Sequence, residues 1–380
     1  MKACDDCLRR SILQNESAGF AERGIGDPAA VRRLLALGAD EQLDALRRHM
    51  PRIDASLSRR VRELRDDLPE RHGLWMTCLH DVGYPRRFEP LEHDRPVVLY
   101  GIGRPERFAQ LVMRESVAIV GARRASGYGR ELAYTLASEL SAIGVWVVSG
   151  MALGIDGAAH RGALGAGGRT AAVLAGGPEL PYPPSHRRLH EQIALQGVVV
   201  SERPPGSRSR RWGFPLRNRL IAAFSDLTIM VEGTEKSGAK YTVDAALDLG
   251  RCCAAVPGPV TSPLSAGPNQ MLIEGALMVR DARDVVDQLF HVGARPEVFG
   301  DPPDARRLGL NPRLTAILDR IAAGDGTAQK IASGSPELTP REIVRALGEL
   351  EMTGWIERDA TGGYRQATIR SPRSSGSDTR

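Results

Sequence analysis

The sequence predicts an α/β fold with a parallel, doubly wound sheet at its centre. Six short apolar runs, each suited to one strand, alternate with segments of helical periodicity between Val117 and about Val286. Strands separated by helices pair in parallel, because each crossover returns the chain to the same end of the sheet. The predicted strands are Val117–Val120, Val145–Ser149, Thr170–Leu174, Val198–Ser201, Asp226–Val231 and Cys252–Val256. A strand-like lead-in at Pro96–Gly101 precedes them, so the core is placed at 73–290.

Residues 1–72 are predicted to form a small helical (SAM-like) domain, because apolar residues recur at spacings of three and four in Val31–Leu37 and Leu57–Leu68. Two residues separate Cys4 from Cys7, which is a common zinc-ligand spacing. Zinc needs four ligands, and the nearby candidates are His72, Cys78 and His80. A single such pair favours reduced thiols over a metal site, so no metal is expected.

The C-terminal part is predicted to be a linker at 291–310, a small module at 311–366 and a disordered tail at 367–380. In the module, Arg313–Ile321, Thr327–Ala332 and Thr339–Leu350 have helical patterns, and Thr339 and Glu342 form a capping box. Gly362 and Gly363 lie between two strand-like runs. Three helices and a hairpin predict a winged-helix domain.

Composition narrows the class of protein. With 380 residues the chain suits two to three domains, and 42% hydrophobic residues are enough for packed cores. The net charge of +5 is too small to identify a partner. Five cysteines, an odd number without a disulfide framework, are typical of a reducing cytoplasm. No apolar run approaches the roughly 20 residues of a membrane span, so no membrane association is expected.

Three predicted strand-to-helix turns could bind phosphate. The first contains Arg123, Arg124 and Ser126, the second Ser149 and Gly150, and the third Ser237 and Gly238. Backbone N–H groups at a helix N-terminus attract anions, and arginines add bidentate donors. The first turn lacks the G-x-G-x-x-G pattern, and G-x-x-x-x-G-K-[ST] is absent from the sequence. A nicotinamide enzyme and a P-loop NTPase are therefore disfavoured, and no cofactor is expected.

The stretch Arg203–Arg219 contains six arginines and no acidic residue, with Trp212 and Phe214 interleaved. Arginines and aromatic rings together suit single-stranded nucleic acid, because guanidinium groups contact phosphates and rings stack on bases. A solvated basic loop with packed aromatics is the alternative.

Two further features are open to a catalytic interpretation. Asp156 and His160 lie one helical turn apart, which suits either a general acid–base pair or a helix cap, and we favour the cap. Glu232 follows a predicted strand and could be a second catalytic carboxylate, although an anchor for Arg217 or Arg219 is the simpler expectation.

The sequence resembles the DprA/Smf family of bacterial DNA processing proteins. The resemblance rests on blocks that occur in the family's order and cover about half the chain. They are Tyr84-Pro85, Val117–Gly121 with Arg123, Ser126 and Gly129, Val148–His160, Tyr182-Pro183, His186-Arg187, Ser201-Glu202, Pro204–Gly206, Phe214–Arg219, Glu232, Ser237-Gly238 and Val256–Gly258.

The resemblance implies an extended Rossmann-like core that binds single-stranded DNA as a homodimer and loads RecA during natural transformation. It implies phosphate contacts for Arg123 and Arg187, and a backbone cradle at Ser149 and Gly150. Asn218 and Arg219 belong to the family's Arg-Asn-Arg block, which begins at Arg217. The phosphate turns and the arginine stretch described above add Arg124, Ser126, Arg203, Ser237 and Gly238 to the predicted DNA surface. The pair Lys240-Tyr241 departs from the family's usual apolar pair, and the cysteine pair near the N-terminus is not a general family feature.

The leading hypothesis is a cytoplasmic, non-enzymatic single-strand DNA binding protein that passes DNA to a recombinase. The alternative is a nucleotide-processing hydrolase that uses Glu232 and Asp156. A third hypothesis makes the C-terminal module the main DNA reader. Its mixed charge, Arg341 and Arg345 against Glu342 and Glu349, argues against this and favours protein contacts.

Overall fold

The computed structural model describes residues 3–24, 38–47, 52–67, 73–290, 312–322, 326–335, 338–352, 356–358 and 363–366. The chain divides into two compact units, residues 1–305 and 306–380. The predicted linker at 291–310, the predicted tail at 367–380 and the helical prediction at 31–37 lie outside the described residues.

Nine strands of the first unit form one sheet. They are β1 (Leu74–Cys78), β2 (Val98–Gly103), β3 (Ser116–Val120), β4 (Trp146–Ser149), β5 (Thr170–Leu174), β6 (Val198–Ser201), β7 (Leu227–Met230), β8 (Cys252–Ala255) and β9 (Leu277–Met278), in the order β1-β2-β6-β5-β4-β3-β7-β8-β9. All six strands predicted in the core are confirmed, and their ends differ from the prediction by at most one residue.

The sheet is mixed rather than wholly parallel. From β6 to β9 each neighbouring pair is parallel, whereas β2 pairs antiparallel with both β1 and β6. The sequence did not predict β1, because a five-residue apolar run such as Leu74–Cys78 has no periodicity that separates strand from helix. The antiparallel edge extends the predicted parallel core by two strands.

Eleven α-helices accompany this sheet in the described part of residues 1–305. They are α1 (Asp5–Gly24), α2 (Ala39–Arg47), α3 (Ile53–Arg62), α4 (Pro105–Met113), α5 (Gly127–Ala142), α6 (Ile155–Gly165), α7 (Arg187–Gln196), α8 (Gly213–Phe224), α9 (Lys240–Asp248), α10 (Ala266–Ile273) and α11 (Ala282–Phe290). Among the described residues, no helix is both long and apolar enough to cross a membrane.

The sheet is covered on both faces. Successive side chains of a strand point to opposite faces, so Ala118 and Val120 join one buried cluster while Val117 and Ile119 join the other. The first cluster includes residues of α4, α8, α9 and α10, and the second includes residues of α5, α6 and α11. The prediction of a doubly wound sheet is therefore confirmed.

Helices α1 and α3 share a hydrophobic cluster with the antiparallel edge of the sheet. Leu8 and Ile12 of α1 are buried in the same cluster as Val98 and Tyr100 of β2. The hydroxyl of Tyr100 donates a hydrogen bond to Ser11 Oγ at 3.0 Å. The N-terminal helices thus cover the β1–β2 edge, and a separate domain at 1–72 stays a prediction.

The second unit contains α12 (Pro312–Ala322), α13 (Ala328–Ser333), α14 (Pro340–Met352) and an antiparallel pair of strands, β10 (Ile356–Arg358) and β11 (Tyr364–Gln366). The predicted capping box begins α14: the Thr339 N–H donates to Glu342 Oε2 at 2.9 Å, and the Glu342 N–H donates to Thr339 Oγ1 at 3.4 Å. The predicted helices and strands are present, and the winged-helix class stays a prediction.

Candidate functional site

A cleft lies where the order of the strands reverses. The chain proceeds from β3 through β4, β5 and β6 on one side, and then continues with β7 on the other side of β3. Ligands of doubly wound sheets bind outside the carboxyl ends of the strands at such a reversal. Here a cleft of about 600 Å³ is lined by residues that follow β3, β4 and β7 and by α8 and α9. We call it the switch-point cleft. It is lined by Val120, Gly121, Ala122, Arg123, Ala152, Asp156, Tyr182, Arg211, Phe214, Pro215, Arg217, Asn218, Ile221, Ser237, Gly238, Ala239, Tyr241 and Thr242.

The turn after β3 places Arg123 at the mouth of this cleft. Gly154 lies against the turn with φ of 78°, and a Cβ there would lie 2.1 Å from the carbonyl oxygen of Ala122, so only glycine fits. Arg123 and Arg124 are exposed. The Arg123 guanidinium lies 5.3 Å from the centroid of the Phe214 ring, within cation–π range. Arg123 is therefore positioned over the cleft and accessible to a ligand, while Arg124 does not line it.

Ser126 has a structural role at the start of α5. Its Oγ accepts a hydrogen bond from the Gly129 N–H at 3.0 Å and so caps the helix. The same hydroxyl donates to Glu232 Oε1 at 2.6 Å, and the Ser126 N–H donates to Glu232 Oε2 at 2.9 Å. The expected ion pair from Glu232 to Arg217 or Arg219 is wrong, because this buried carboxylate holds the β3–α5 turn instead.

Two donors of the second predicted phosphate turn are engaged within the fold. Ser149 is fully buried, and its hydroxyl donates to the carbonyl oxygen of Ile119 at 2.7 Å. The Gly150 N–H donates to Asp156 Oδ2 at 3.1 Å. The Gly150 N–H is therefore not a free donor for a phosphate in this structure. A cradle formed by the Ser149 N–H stays a prediction.

Arg217 forms part of the cleft floor. Its guanidinium donates to the carbonyl oxygens of Gly150, at 2.9 Å, and of Val173. Burial lowers the pKa of Arg217 to about 10, and the neighbouring Asp156 opposes that effect. Asn218 accepts from Arg217 Nε at 3.2 Å and donates to the carbonyl oxygen of Gly238 at 3.3 Å. Arg217 and Asn218 therefore line the cleft, and their hydrogen bonds also connect the segments that form its walls.

Arg219 and Arg203 are used by the fold rather than presented to solvent. Arg219 forms a two-pronged ion pair with Glu202, at 2.6 and 3.1 Å, in which both side chains are largely buried. Arg203 is buried and lies over the Trp212 ring at 4.7 Å. Neither lines the switch-point cleft. The sequence could not distinguish these two buried arginines from the exposed ones in Arg203–Arg219, because the arginines of this stretch are irregularly spaced.

Arg187 lies at the start of α7 and outside the cleft lining. Its Nε forms an exposed ion pair with Glu191 at 3.1 Å, and 78% of its side chain is exposed. It borders a different hollow, which also contains Glu179, His190 and Leu195. The structure therefore does not bring Arg187 together with Arg123, although both are accessible.

The third predicted turn lies at the cleft. Ser237 and Gly238 both line it, and Gly238 is exposed. The Ser237 Oγ is buried and has no hydrogen-bond partner among the described residues. Because buried hydroxyls are normally hydrogen-bonded, this atom is an exception that contacts among the described residues do not explain.

Aromatic faces line the cleft at positions that sequence reasoning did not select. Tyr182 is 41% exposed, and its ring lies 5.0 Å from that of Phe214. Tyr241 is 56% exposed and lines the cleft beside Ser237 and Gly238. Arg211 is exposed and also lines the cleft. Two features of the sequence could have drawn attention to these tyrosines. Tyr182 belongs to a Tyr-Pro pair of the family blocks, and Tyr241 belongs to the pair that departs from the family's usual apolar pair.

The candidate catalytic groups are engaged in the fold. Asp156 accepts hydrogen bonds from the N–H groups of Gly150 and Ala152, and burial raises its pKa. His160 contacts Thr170 Oγ1 at 2.7 Å, and burial lowers its pKa to about 3. Asp156 and His160 therefore do not act as an acid–base pair in this structure. Among the residues that line the cleft, three arginines face one carboxyl group, which favours an anion.

Comparison with known proteins shows which family this chain resembles. The family model described as DNA recombination-mediator protein A matches residues 75–290. A DNA processing protein DprA from Mycobacterium tuberculosis (strain H37Rv) is 42% identical over 288 residues, which span 72% of this chain and 70% of that protein. Protein Smf of Escherichia coli (strain K12) is 35% identical over 255 residues, which span 65% of this chain and 67% of that protein.

Two solved structures share the fold. DprA from Streptococcus pneumoniae matches with a TM-score of 0.57 at 28% identity, over 76% of this chain and 99% of that chain. DNA processing protein A from Helicobacter pylori matches with a TM-score of 0.51 at 29% identity, over 56% of this chain and 95% of that chain. The Helicobacter pylori structure describes a single-stranded DNA binding mode of that protein.

Proposed function

This chain belongs to the DNA recombination-mediator protein A family, known as DprA or Smf, and from that membership we propose that the switch-point cleft binds single-stranded DNA. The observation that carries the proposal is the pairing of exposed cations with exposed rings in one cleft. Arg123 and Arg211 are accessible to phosphates, Tyr182 and Tyr241 offer exposed rings to bases, and the half-buried Phe214 ring lies beside Arg123 and Tyr182. This combination is typical of sites that bind single strands without strong base preference.

Cations and rings lie next to each other in the cleft. The Phe214 ring is 5.3 Å from the Arg123 guanidinium and 5.0 Å from the Tyr182 ring. Ser237 and Gly238 also line the cleft. Arg187 is proposed as an outer phosphate contact, for a strand that leaves the cleft past Tyr182.

We also propose that the protein is a non-enzymatic mediator that loads RecA onto single strands, acts as a homodimer and works in the cytoplasm. The five cysteines are free thiols in the structure, which is consistent with a reducing compartment. The C-terminal unit is proposed to be a winged-helix domain that serves protein contacts. The hydrolase alternative is disfavoured because the carboxylates of Asp156 and Glu232 are both occupied by hydrogen bonds within the fold.

RecA loading can be tested directly. The protein is expected to speed RecA filament formation on single strands that are already coated with a single-strand binding protein, because it must hold the strand while RecA nucleates. Filament growth is followed by RecA-dependent ATP hydrolysis. A chain ending at residue 305 should bind single strands as the full chain does, since the cleft lies wholly in the first unit. If the protein binds single strands but does not increase the rate of RecA-dependent ATP hydrolysis, the mediator role is contradicted, whereas the proposed binding site in the cleft is not.

The aromatic wall gives a second prediction. Tyr182→Ala is expected to weaken binding of labelled oligothymidine by about 1–3 kcal/mol, roughly 5- to 150-fold, since it removes one stacking surface. Tyr182→Phe is the matched control, because it keeps the ring and should retain most of the affinity. Equal affinity of Tyr182→Ala and the unmodified protein, measured by fluorescence anisotropy at fixed salt, would contradict a stacking role for this residue.

A further inference from the structure

Four metal-ligating side chains converge at the edge of the sheet, away from the switch-point cleft. Cys4 precedes α1 and Cys7 lies in its first turn, while Cys78 ends β1 and His80 follows two residues later. One ligand atom from each of these residues lies within 4.8 Å of every other. His80 Nδ1 lies 3.3 Å from Cys4 Sγ and 3.5 Å from Cys7 Sγ.

These distances suit a tetrahedral zinc site. Zinc binds cysteine sulfur at about 2.3 Å and histidine nitrogen at about 2.0–2.1 Å, so tetrahedral geometry places a sulfur and a nitrogen about 3.5 Å apart. Both observed distances from sulfur to nitrogen are close to that value. Two sulfurs of such a site lie about 3.8 Å apart, so even the widest pair in the cluster would close by only about 1 Å on binding.

The chemistry of the cluster selects the metal. Three thiolates and one imidazole form a common structural zinc set, whereas calcium and magnesium need oxygen ligands. A disulfide between two of the cysteines would leave the third cysteine and the histidine without a role. Cys7 and Cys78 are buried in the cluster that joins α1 to the sheet, while Cys4 and His80 lie on the exposed side.

We propose that Cys4, Cys7, Cys78 and His80 bind one structural Zn²⁺ that fastens helix α1 to the end of strand β1. Four protein ligands leave no open position, so the metal has a structural role rather than a catalytic one. Each thiol releases its proton to solvent on binding. The site closes a loop of roughly 70 residues between Cys7 and Cys78, which restricts the unfolded chain.

The site does not depend on the proposed DNA function. Strands β2, β6, β5 and β4 lie between β1 and β3, where the cleft begins. Zinc binding is therefore expected to stabilise the N-terminal helices and to leave the affinity of the cleft for single strands unchanged. Failure of either proposal would not affect the other.

The test is the zinc content of the full-length protein, purified with a reductant, supplied with zinc sulfate and then passed through metal-free buffer. We expect about one zinc per chain by mass spectrometry of the metal. Cys78→Ser and His80→Ala should each lose most of it. His80→Cys should retain it, since four cysteines also form a structural zinc site. Cys252→Ser removes an exposed cysteine elsewhere and is the matched control.

Cobalt provides a readout that does not depend on stability. Titration with cobalt chloride should give the intense visible absorption of tetrahedral cobalt and a thiolate charge-transfer band, and both should weaken in Cys78→Ser. A strong zinc chelator should lower the unfolding temperature of the unmodified protein and of Cys252→Ser, but not that of Cys78→Ser. Absence of bound zinc after reconstitution, or equal zinc in Cys78→Ser, would overturn the proposal, the latter indicating an adventitious ion only.

Discussion

Replacing Arg123 and Arg211 together by alanine is expected to weaken single-strand binding by about 3 kcal/mol, roughly a hundredfold, because two charge-assisted contacts are lost. Both side chains are exposed and line the switch-point cleft. Each lost phosphate contact should also reduce the dependence of binding on salt, by about 0.7 in the slope of log K against log [salt] for single strands. Binding of a labelled oligothymidine is measured across a salt series.

The control for this variant is Arg104→Ala. Arg104 is exposed and follows β2, whose last residue, Gly103, pairs with the first residue of β6, Val198. Arg104 therefore lies at the end of the sheet where strand β6 begins, whereas the cleft lies at the end where the parallel strands finish. Its loss should leave both the affinity for single strands and the salt slope unchanged. An unchanged slope in the Arg123/Arg211 double variant would show that the cleft does not hold the phosphates.

Arg187→Ala decides how far the strand extends. Because Arg187 lies outside the cleft, its loss should lower the salt slope only if the strand continues past Tyr182 toward α7. A change seen with long oligonucleotides and not with short ones would support an outer contact. An unchanged slope at every length would confine the strand to the cleft and remove Arg187 from the proposed surface.

Arg219→Ala is expected to lower the free energy of unfolding by about 3–5 kcal/mol, because it leaves the carboxylate of Glu202 buried without its partner. The two side chains are 18% and 14% exposed and are joined by a pair of hydrogen bonds. Arg219 also donates to the carbonyl oxygens of Asp94 and Leu216. Chemical denaturation measures the loss, and Arg187→Ala is the control, since its exposed ion pair should have no measurable effect.

The pH dependence of this variant distinguishes a lost ion pair from lost packing. Burial raises the pKa of Glu202, but the positive charges of Arg219 and Arg203 outweigh burial and hold this pKa below its ordinary value. A carboxyl with a depressed pKa stabilises the fold above its unfolded pKa and loses that contribution as the pH falls through its folded pKa. The difference between wild type and Arg219→Ala should therefore shrink on acidification. Because that contribution is lost only below the unfolded pKa of about 4.3, the difference is followed from about pH 5 downward, and a difference that stays constant as the pH falls below about 4 would assign the effect to packing.

The sequence was most informative about the sheet. Apolar runs such as Thr170–Leu174 and Val198–Ser201 are buried on both faces, and that burial requires continuous hydrophobicity that can be read directly from the chain. The run Leu74–Cys78 was missed because its strand identity depends on pairing with β2, a partner that its own residues do not specify.

The candidate site could be predicted only in part. Arg123 could be predicted as a site residue from the sequence, because a residue in the turn just after a buried strand must lie at the end of the sheet. The arginines between 203 and 219 belong to one arginine-rich stretch, but the structure places them in different environments. Arg211 is exposed at the cleft, Arg217 bonds to carbonyl oxygens in the cleft floor, and Arg219 pairs with Glu202. Only contacts with distant segments separate them.

By itself, the sequence determined the alternation of strands and helices, the capping box at Thr339, and the position of two exposed arginines, Arg123 and Arg124, just after strand β3. These features depend on neighbouring residues and on local periodicity. The tertiary structure alone decided which donors remain free, as at Gly150, whose N–H is taken by Asp156. It also brought Cys4 and Cys7 to Cys78 and His80. Gly150 and Asp156 are only six residues apart, whereas Cys4 and His80 are 76 apart. In both cases the physical reason is the packing of a helix, α6 or α1, against the sheet, which sets the distance between the partners.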